Sequence, residues 1–308
     1  MSDRVFHRLR RRLVLQGVTP AGVRPPGSEG RSEDFRLVPA RLVEDPILRH
    51  YPVGSPTACP APLAFLDGVQ RYEILGYVGA TPVLGAVVAA AVRRREAGEL
   101  RTVCVERRLL LVGRAPAVSA LDAGGEECDV LPVELDEPVH PLKDLEAARQ
   151  AIDAARGELE RRVGNEFRRG HDDWLIVDGS LAESAAWARD ERMIGVSKSH
   201  ATLPFDGDQL VSYLRLSVGH RSSVFQPDTR RFAPVYAWGF RLWRWEGNDL
   251  LHGLVRVEAA PTKGTLARVD ELSRWILAER APLSRPDPRW DRLLYGVHLV
   301  ERSLRSGW

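Results

Sequence analysis

The longest regular pattern in the sequence is an amphipathic segment, residues 142–169, that separates two groups of apolar, β-like runs. Its apolar positions, among them Ala148, Ile152 and Leu159, recur at helical spacing, so they form one stripe that must be buried against another layer. Strands before and after a long helix are typical of an α/β protein, in which helices cover a sheet. With 308 residues, 44% of them hydrophobic, the chain is long enough to bury such a core.

Three β-like runs lie close together before the long helix, and we predict that they form an antiparallel meander. The runs cover residues 63–66, 71–84 and 101–112. Residues 89–95 could extend a strand or begin a helix, and we favour a strand. After the long helix the pattern predicts strands at 174–177, 194–196, 235–245 and 250–258, and helices at 181–192, 265–280 and 289–304.

The first 62 residues differ in composition from the rest of the chain. Residues 17–62 are rich in proline and glycine, which predicts an extended segment. We therefore divide the chain into an N-terminal extension, 1–62, and a folded domain, 63–308. Val5, Phe6, Leu9 and Leu13 share one helical face in the extension, which suits docking to a partner protein.

The sequence carries no pattern typical of secretion, a membrane helix or a structural zinc site. The first 16 residues mix arginine with apolar residues and lack an apolar signal core, and glycine and proline interrupt the most apolar stretch, 76–92. Cys59, Cys104 and Cys128 have no C-x-x-C spacing. We expect a cytoplasmic protein that does not span a membrane.

The overall charge gives no strong indication of a nucleic-acid partner. The 44 lysine and arginine residues nearly balance 42 aspartate and glutamate residues, which leaves a net charge of +2. A basic surface would have to come from clustering of these residues in the fold.

Two Asp-Gly pairs follow apolar strands and are the first candidates for chemistry. Asp67-Gly68 follows residues 63–66, and Asp178-Gly179 follows residues 174–177. Either pair alone is typical of an ordinary turn. Two carboxylates delivered from strand ends, however, provide hard oxygen ligands for Mg²⁺ or Mn²⁺, with which a phosphodiester substrate can complete the coordination.

Further ligands are expected from the helices. Glu158, Glu160 and Glu166 lie in the last turns of the long helix, and we select Glu160, although charged residues on a helix usually form a solvated face. His298 lies in the C-terminal predicted helix, beside an apolar stripe that would dock this helix on the core. A histidine in that position is more often a packed residue than a ligand.

The order of these parts resembles the ribonuclease H-like nucleases, and within them the NurA nuclease family. An aspartate on the first strand, a glutamate on the following helix, an aspartate on the fourth strand and a ligand on a C-terminal helix make up the shared arrangement. The matching passages are residues 65–68, 175–181, 195–199 and 253–258, together with the terminal helix that bears His298. The resemblance implies a ribonuclease H-like mixed sheet flanked by helices.

The resemblance also implies an activity and a set of site residues. It implies a manganese- or magnesium-dependent DNA nuclease, with two ions, that degrades DNA ends and cleaves single strands beside a HerA-type hexameric ATPase. The family is dimeric and acts in DNA end processing or antiphage defence. The implied catalytic and metal-binding residues are Asp67, Glu160, Asp178 and His298.

Other residues are less specific. Lys198 follows a predicted strand and Arg221 follows Gly219-His220, so that both are candidate DNA contacts. Lys198 is equally consistent with an ordinary surface lysine. The family also has a tyrosine near its site, for which Tyr213 and Tyr236 are both candidates.

Two alternatives remain open at this point. The chain is compatible with a non-catalytic ribonuclease H-like scaffold that binds a motor ATPase. A phosphotransferase of the actin-like ATPase superfamily also uses Asp-Gly turns, but it needs glycine-rich phosphate loops, and the residues after Gly179 are a poor match for such a loop.

Overall fold

The computed structural model describes residues 2–20, 36–121, 128–228, 233–246, 248, 250–281 and 294–306, with the side chains of 2–5 and 19–20 left out. The strands are β1 (Thr19–Pro20), β2 (Arg36–Leu37), β3 (Ala40–Leu42), β4 (His50–Pro52), β5 (Leu63–Val78), β6 (Thr81–Glu96), β7 (Glu99–Arg114), β8 (Asp129–Val133), β9 (Trp174–Asp178), β10 (Met193–Ser197), β11 (Thr202–Leu203), β12 (His220–Ser222), β13 (Phe225–Pro227), β14 (Tyr236–Arg241) and β15 (Leu254–Ala259). The helices are α1 (Ser2–Leu15), α2 (Ala115–Val118), α3 (Pro141–Gly170), α4 (Ala185–Arg189), α5 (Gly207–Leu214), α6 (Lys263–Glu279) and α7 (Tyr295–Ser306).

One mixed sheet organises the molecule. Its central strands follow the order β14-β15-β10-β9-β5-β6-β7-β8. The long strands β5, β6 and β7 form an antiparallel meander, whereas β9 is parallel to both β5 and β10. The structure therefore confirms the predicted α/β fold with a mixed sheet flanked by helices.

The meander is longer and more regular than the sequence pattern predicted. β5, β6 and β7 each contain 16 residues, and residues 89–95 belong to β6, as expected. The prediction that the first strand ends at Leu66 was wrong, because β5 continues through Asp67 and Gly68 to Val78. A strand buried on both faces has no period-two pattern to mark its continuation, so the glycine was mistaken for a turn.

The two faces of the sheet are covered by different helices. One core lies beneath α3, whose apolar stripe includes Ala148, Ile152 and Leu159, packed on β5, β6 and β9. The other lies beneath α6 and α7, where Trp275 and Val297 pack on the opposite face. The sheet is thus the middle layer of three, with α3 on one side and α6 and α7 on the other.

Residues before Pro62 take part in the same fold. β3 pairs with β13, and β4 pairs with β12. Helix α1 packs on the meander, where Phe6, Leu9 and Leu13 are buried against residues that include Leu75 and Leu111. Phe6, Leu9 and Leu13 of the apolar face predicted to dock a partner are therefore covered by this chain's own sheet, while the boundary at residue 62 stays a prediction.

Several shorter elements differ from their predicted limits. The helix predicted at 181–192 is confined to α4, and the strands predicted at 235–245 and 250–258 shorten to β14 and β15. The first part of the helix predicted at 289–304 lies outside the described residues, which resume at Leu294. Among the helices that the structure describes, none combines the length and apolarity needed to cross a bilayer.

Candidate active site

Asp67 and Asp178 lie side by side on neighbouring parallel strands. β5 pairs with β9 so that Leu66 is opposite Val177, and the next residue of each strand is an aspartate. The residues two positions earlier in each strand both pack in the core beneath α6 and α7. Because side chains of a strand alternate between its faces, the two carboxylates point to that same face, where β9 ends.

Glu160 approaches β5 from the opposite face, beneath α3, and it can do so because residue 68 is glycine. A Cβ atom at Gly68 would lie 2.7 Å from the Cγ atom of Glu160, well inside van der Waals contact. Any other residue at this position would push the carboxylate away from the strand. Gly68 therefore serves a close approach in the middle of a strand.

Two basic side chains pair with the carboxylates. The Nζ atom of Lys198 donates to Oδ2 of Asp178 at 2.6 Å, from the residue that follows β10. Arg156 lies one helical turn before Glu160 on α3 and donates to its carboxylate. Three carboxylates and two cations thus meet where β5, β9, β10 and α3 come together.

Burial and mutual repulsion change the acidity of two of these carboxyl groups. The pKa of Asp67 lies well above its usual range, chiefly because the group is buried and next because Asp178 is close. Glu160 and Glu301 also raise the pKa of Asp67, while Lys198 lowers it. Burial likewise raises the pKa of Glu160, and Arg156 opposes the rise. The three carboxyl groups of the cluster, if all were ionised, would carry more negative charge than Lys198 and Arg156 balance.

Helix α7, which carries His298 and Glu301, packs on β5, the strand that bears Asp67. The helix packs closely on β5, since a Cβ at Gly296 would lie 2.5 Å from the ring of Phe65, two residues before Asp67. His298 is partly buried, and its Nδ1 atom is buried with no hydrogen-bond partner among the described residues. Glu301, three residues later, influences Asp67 electrostatically and accepts a hydrogen bond of 2.7 Å from Arg305.

Comparisons with known proteins bear on the fold. No protein-family model matches the sequence, and no curated protein sequence matches it. Among solved structures, the NurA nuclease from Sulfolobus solfataricus matches with a TM-score of 0.50 and 9% sequence identity, over 83% of this chain and 81% of that one. This chain has the NurA fold.

Two further structures are similar over most of their length. The catalytic domain of human endonuclease V matches with a TM-score of 0.36 and 13% identity, over 99% of this chain and 95% of that one. Endonuclease V from Streptomyces avermitilis matches with a TM-score of 0.34 and 14% identity, over 87% and 86%. The predicted resemblance to NurA is confirmed at the level of the fold, on the first of these comparisons.

Within the NurA fold, the donor atoms at the strand ends fit a divalent metal ion. Carboxylate oxygens are the ligands that Mg²⁺ and Mn²⁺ prefer, and the like charges of Asp67, Asp178 and Glu160 raise one another's energy until a cation joins them. The Nδ1 atom of His298, which has no hydrogen-bond partner among the described residues, is a candidate nitrogen ligand on α7. In the described part of the chain, however, no three such side chains already stand in ligand geometry. Lys198 and Arg156 pair with two of the carboxylates.

Arg221 does not belong to this cluster. It is 2% exposed, its guanidinium pairs with Glu44 and Asp270, and it stacks on the ring of Tyr51 at 4.5 Å. A buried guanidinium whose N–H groups already have intramolecular acceptors has little to offer a phosphate. The predicted DNA contact is therefore replaced by a structural role, which joins β12 to α6 and to the chain before Pro62.

The two candidate tyrosines also lie apart from the carboxylates. Tyr213 is fully buried against Gly239 on β14, and burial raises the pKa of its phenol to about 12. Tyr236 is partly buried at the start of β14. Sequence reasoning missed Arg156 and Glu301 instead. Both were detectable by helical spacing, at i−4 from Glu160 and at i+3 from His298.

Proposed function

We propose that this protein is a divalent-metal-dependent DNA nuclease. The observation that carries the proposal is the meeting of Asp67, Asp178 and Glu160 in a fold similar to that of a NurA nuclease. Three carboxylates gathered around β5 and the end of β9, with raised pKa values at Asp67 and Glu160, are hard to explain as a stabilising arrangement. They are the expected donor set of a phosphodiester hydrolase.

Asp67, Asp178, Glu160 and His298 would hold Mn²⁺ or Mg²⁺, with two ions as the expected number. Such ions, when bound, make water more acidic and offset the charge that develops on a phosphate. Asp67 and Asp178 lie on rigid strands and fix the position of the site, whereas Glu160 and His298 come from helices on opposite faces of the sheet.

Lys198 would contact the phosphate of the bound strand. Its ammonium group already lies at the site through Asp178. If Asp178 held a metal ion, the ammonium group could pair with a non-bridging phosphate oxygen of DNA. Lys198 would thereby bring the scissile phosphate close to the two aspartates.

The resemblance to NurA extends the proposal to substrate and partners. We propose exonuclease action on DNA ends and endonuclease action on single strands, by a cytoplasmic homodimer that works beside a HerA-type hexameric ATPase. Either DNA end processing or antiphage defence would use such a pair. These assignments rest on the resemblance to the NurA family alone. No residue of this chain is assigned to the dimer or to the contact with the ATPase.

The test is cleavage of end-labelled single- and double-stranded DNA in Mn²⁺, Mg²⁺ or EDTA. Asp67→Ala and Asp178→Ala should each abolish a metal-dependent activity of the unaltered chain, and circular dichroism should show that both variants stay folded. Arg221→Ala is not a suitable control because it breaks a buried ion pair. Arg162→Gln, which alters a partly exposed ion pair with Glu106, serves instead.

One observation favours a second function, a non-catalytic scaffold. The carboxylates are held by Lys198 and Arg156, an arrangement that a protein without metal could keep permanently. A scaffold would not bind Mn²⁺ at this site. It would not cleave DNA, with or without the Asp67→Ala substitution. Absence of cleavage in every metal, with the ATPase partner present, would support this second function over the first.

A further inference from the structure

Arg156 lies beside the carboxylate cluster but, as a cation, has no metal-binding role there. Arg156 and Glu160 lie four residues apart on α3, so both side chains occupy one stripe of the helix. Arg156 donates to Oε1 of Glu160 and also interacts electrostatically with Asp67 and Asp153. Its guanidinium therefore lies at the edge of the carboxylate cluster, on the side of the sheet that α3 covers.

The hydrogen bonds of Arg156 set it apart from the structural arginines of this protein. Arg114 uses all its N–H groups, with two bonds to Asp144 and one each to the carbonyl oxygens of Leu135, Glu137 and Pro138. For Arg156, Glu160 is the hydrogen-bond acceptor found in the described portion of the chain. Its side chain is 31% exposed, against 10% for Arg114. A guanidinium has five N–H donors in a planar fork, so Arg156 keeps donors directed to solvent.

A divalent cation at the carboxylate cluster would change the pairing of Arg156 with Glu160. Glu160 is held against β5 by the space at Gly68, so its carboxylate stays near Asp67. A divalent ion bound there would compete with Arg156 for Glu160 and would repel the guanidinium. The guanidinium then needs a new anion that can accept two parallel N–H bonds, and a phosphate matches that geometry.

We propose that Arg156 binds a backbone phosphate of the DNA strand that occupies the carboxylate site. This inference rests on the proposed nuclease function and names a second phosphate contact, supplied by α3, in addition to Lys198. Glu160 is its partner without DNA, and a phosphate is its partner with DNA. Metal binding and DNA binding should therefore assist each other, since each removes a competitor of the other.

The experiment measures binding and metal affinity separately from cleavage. The full chain and its Arg156→Gln, Arg156→Lys and Arg162→Gln variants are titrated onto a fluorescent single-stranded oligonucleotide in Ca²⁺, which prefers oxygen ligands, with a gel to confirm that the strand stays intact. Anisotropy is recorded from low to high NaCl concentration. Mn²⁺ affinity is measured by electron paramagnetic resonance without DNA, and thermal unfolding midpoints confirm that the variants fold.

We expect Arg156→Gln to weaken DNA binding about tenfold and to lower the slope of log Kd against log salt by about 0.7, the value for one phosphate on a single strand. Arg156→Lys should keep the slope and recover part of the affinity, and Arg162→Gln should match the unaltered chain. Mn²⁺ affinity of Arg156→Gln without DNA should be equal or higher, because a competing cation is gone.

Two results would overturn the inference. Unchanged DNA affinity and an unchanged salt slope in Arg156→Gln would show that Arg156 makes no contact with a DNA phosphate. Weaker Mn²⁺ binding with an unchanged slope would show that Arg156 only positions Glu160. Either result leaves the nuclease function standing if the unaltered chain cuts DNA, whereas an unaltered chain that neither cuts nor binds DNA in any metal contradicts the proposed function itself.

Discussion

The two Asp-Gly pairs look alike in the sequence and differ completely in the fold. Gly68 lies inside a 16-residue strand, and the space its missing side chain leaves is taken by Glu160. Gly179 follows the end of β9 with a φ of +140°, and a Cβ added there would meet nothing within 4 Å. One glycine is required for space and the other for backbone conformation, so the same dipeptide serves two physical needs.

The aspartates of the two pairs differ in the same way. Asp67 is 6% exposed, and its Oδ1 atom accepts a hydrogen bond of 2.8 Å from the neighbouring Gly68 N–H. Asp178 is more exposed and has the ammonium group of Lys198 as its partner. Ionisation of Asp67 is therefore opposed by burial and by repulsion from Asp178, whereas the charge of Asp178 is offset by the ammonium group of Lys198.

The largest expected effect comes from closing the space at Gly68. Gly68→Ala places a methyl group where the Glu160 side chain lies, and the flexible glutamate must move away from Asp67. Misplacement of one site group by about 1 Å can cost on the order of a hundredfold in rate. We expect a loss of that size in DNA cleavage, with the fold retained, measured by initial rates on end-labelled single strands.

A double-mutant cycle separates this effect from general damage to the strand. Once Glu160 is alanine, the methyl group of Gly68→Ala meets no carboxylate, so the second substitution should cost nothing more. Losses that simply add in the pair Gly68→Ala and Glu160→Ala would mean that the glycine does not act through Glu160.

The second expected effect is on stability. Gly179→Ala meets no steric obstacle but must adopt a positive φ that L-residues avoid, at a cost of about 1–3 kcal/mol. The following residues are anchored, since Ser180 Oγ and Leu181 N donate to Glu258 at 2.7 and 2.9 Å, so the loop cannot relax freely. Urea unfolding should show the destabilisation, and an unaltered midpoint would contradict the role given to Gly179.

The third prediction uses the raised pKa of Asp67. A carboxyl group whose pKa is higher in the folded state than in the unfolded state destabilises the fold when it is ionised, and this cost grows as pH rises from the unfolded pKa through the folded one. Asp67→Asn should therefore raise the unfolding free energy at neutral pH without metal. The gain should vanish at pH values below the unfolded pKa, in urea titrations at several pH values.

Asp178→Asn is the matched comparison. It removes an anionic partner of Lys198, whose side chain is 13% exposed, so it should destabilise the protein. At neutral pH we expect Asp67→Asn to raise the free energy of unfolding and Asp178→Asn to lower it. A loss of stability in both would mean that the two aspartates contribute alike and that the contrast between their environments is too small to measure.

The sequence supports the layers of this fold better than the details of its site. The stripe of α3 and the meander were readable because their periodicities are long and regular, and the two aspartates because each follows an apolar run. The close approach of Glu160 to Gly68 was not readable, since it depends on how α3 crosses β5. Arg221 was misread for the same reason: nothing in the local sequence shows that Glu44 and Asp270 will surround it.

The smallest expected effect concerns α7, which carries Glu301 and His298. Glu301 would act on the site through its charge, and His298 would act as a metal ligand. Glu301 acts on Asp67 through space and is itself paired with Arg305, so Glu301→Gln should weaken Mn²⁺ binding by about threefold, typical of a partly screened charge. Glu271→Gln on α6, paired with Arg268, is the control and should leave Mn²⁺ binding unchanged.

If His298 is a ligand, His298→Ala must weaken Mn²⁺ binding more than Glu301→Gln does, because a ligand contributes a bond to the metal and a distant carboxylate contributes only its electrostatic field. The reverse order would make Glu301 the residue through which α7 serves the metal, and would leave the buried Nδ1 of His298 to a bound water.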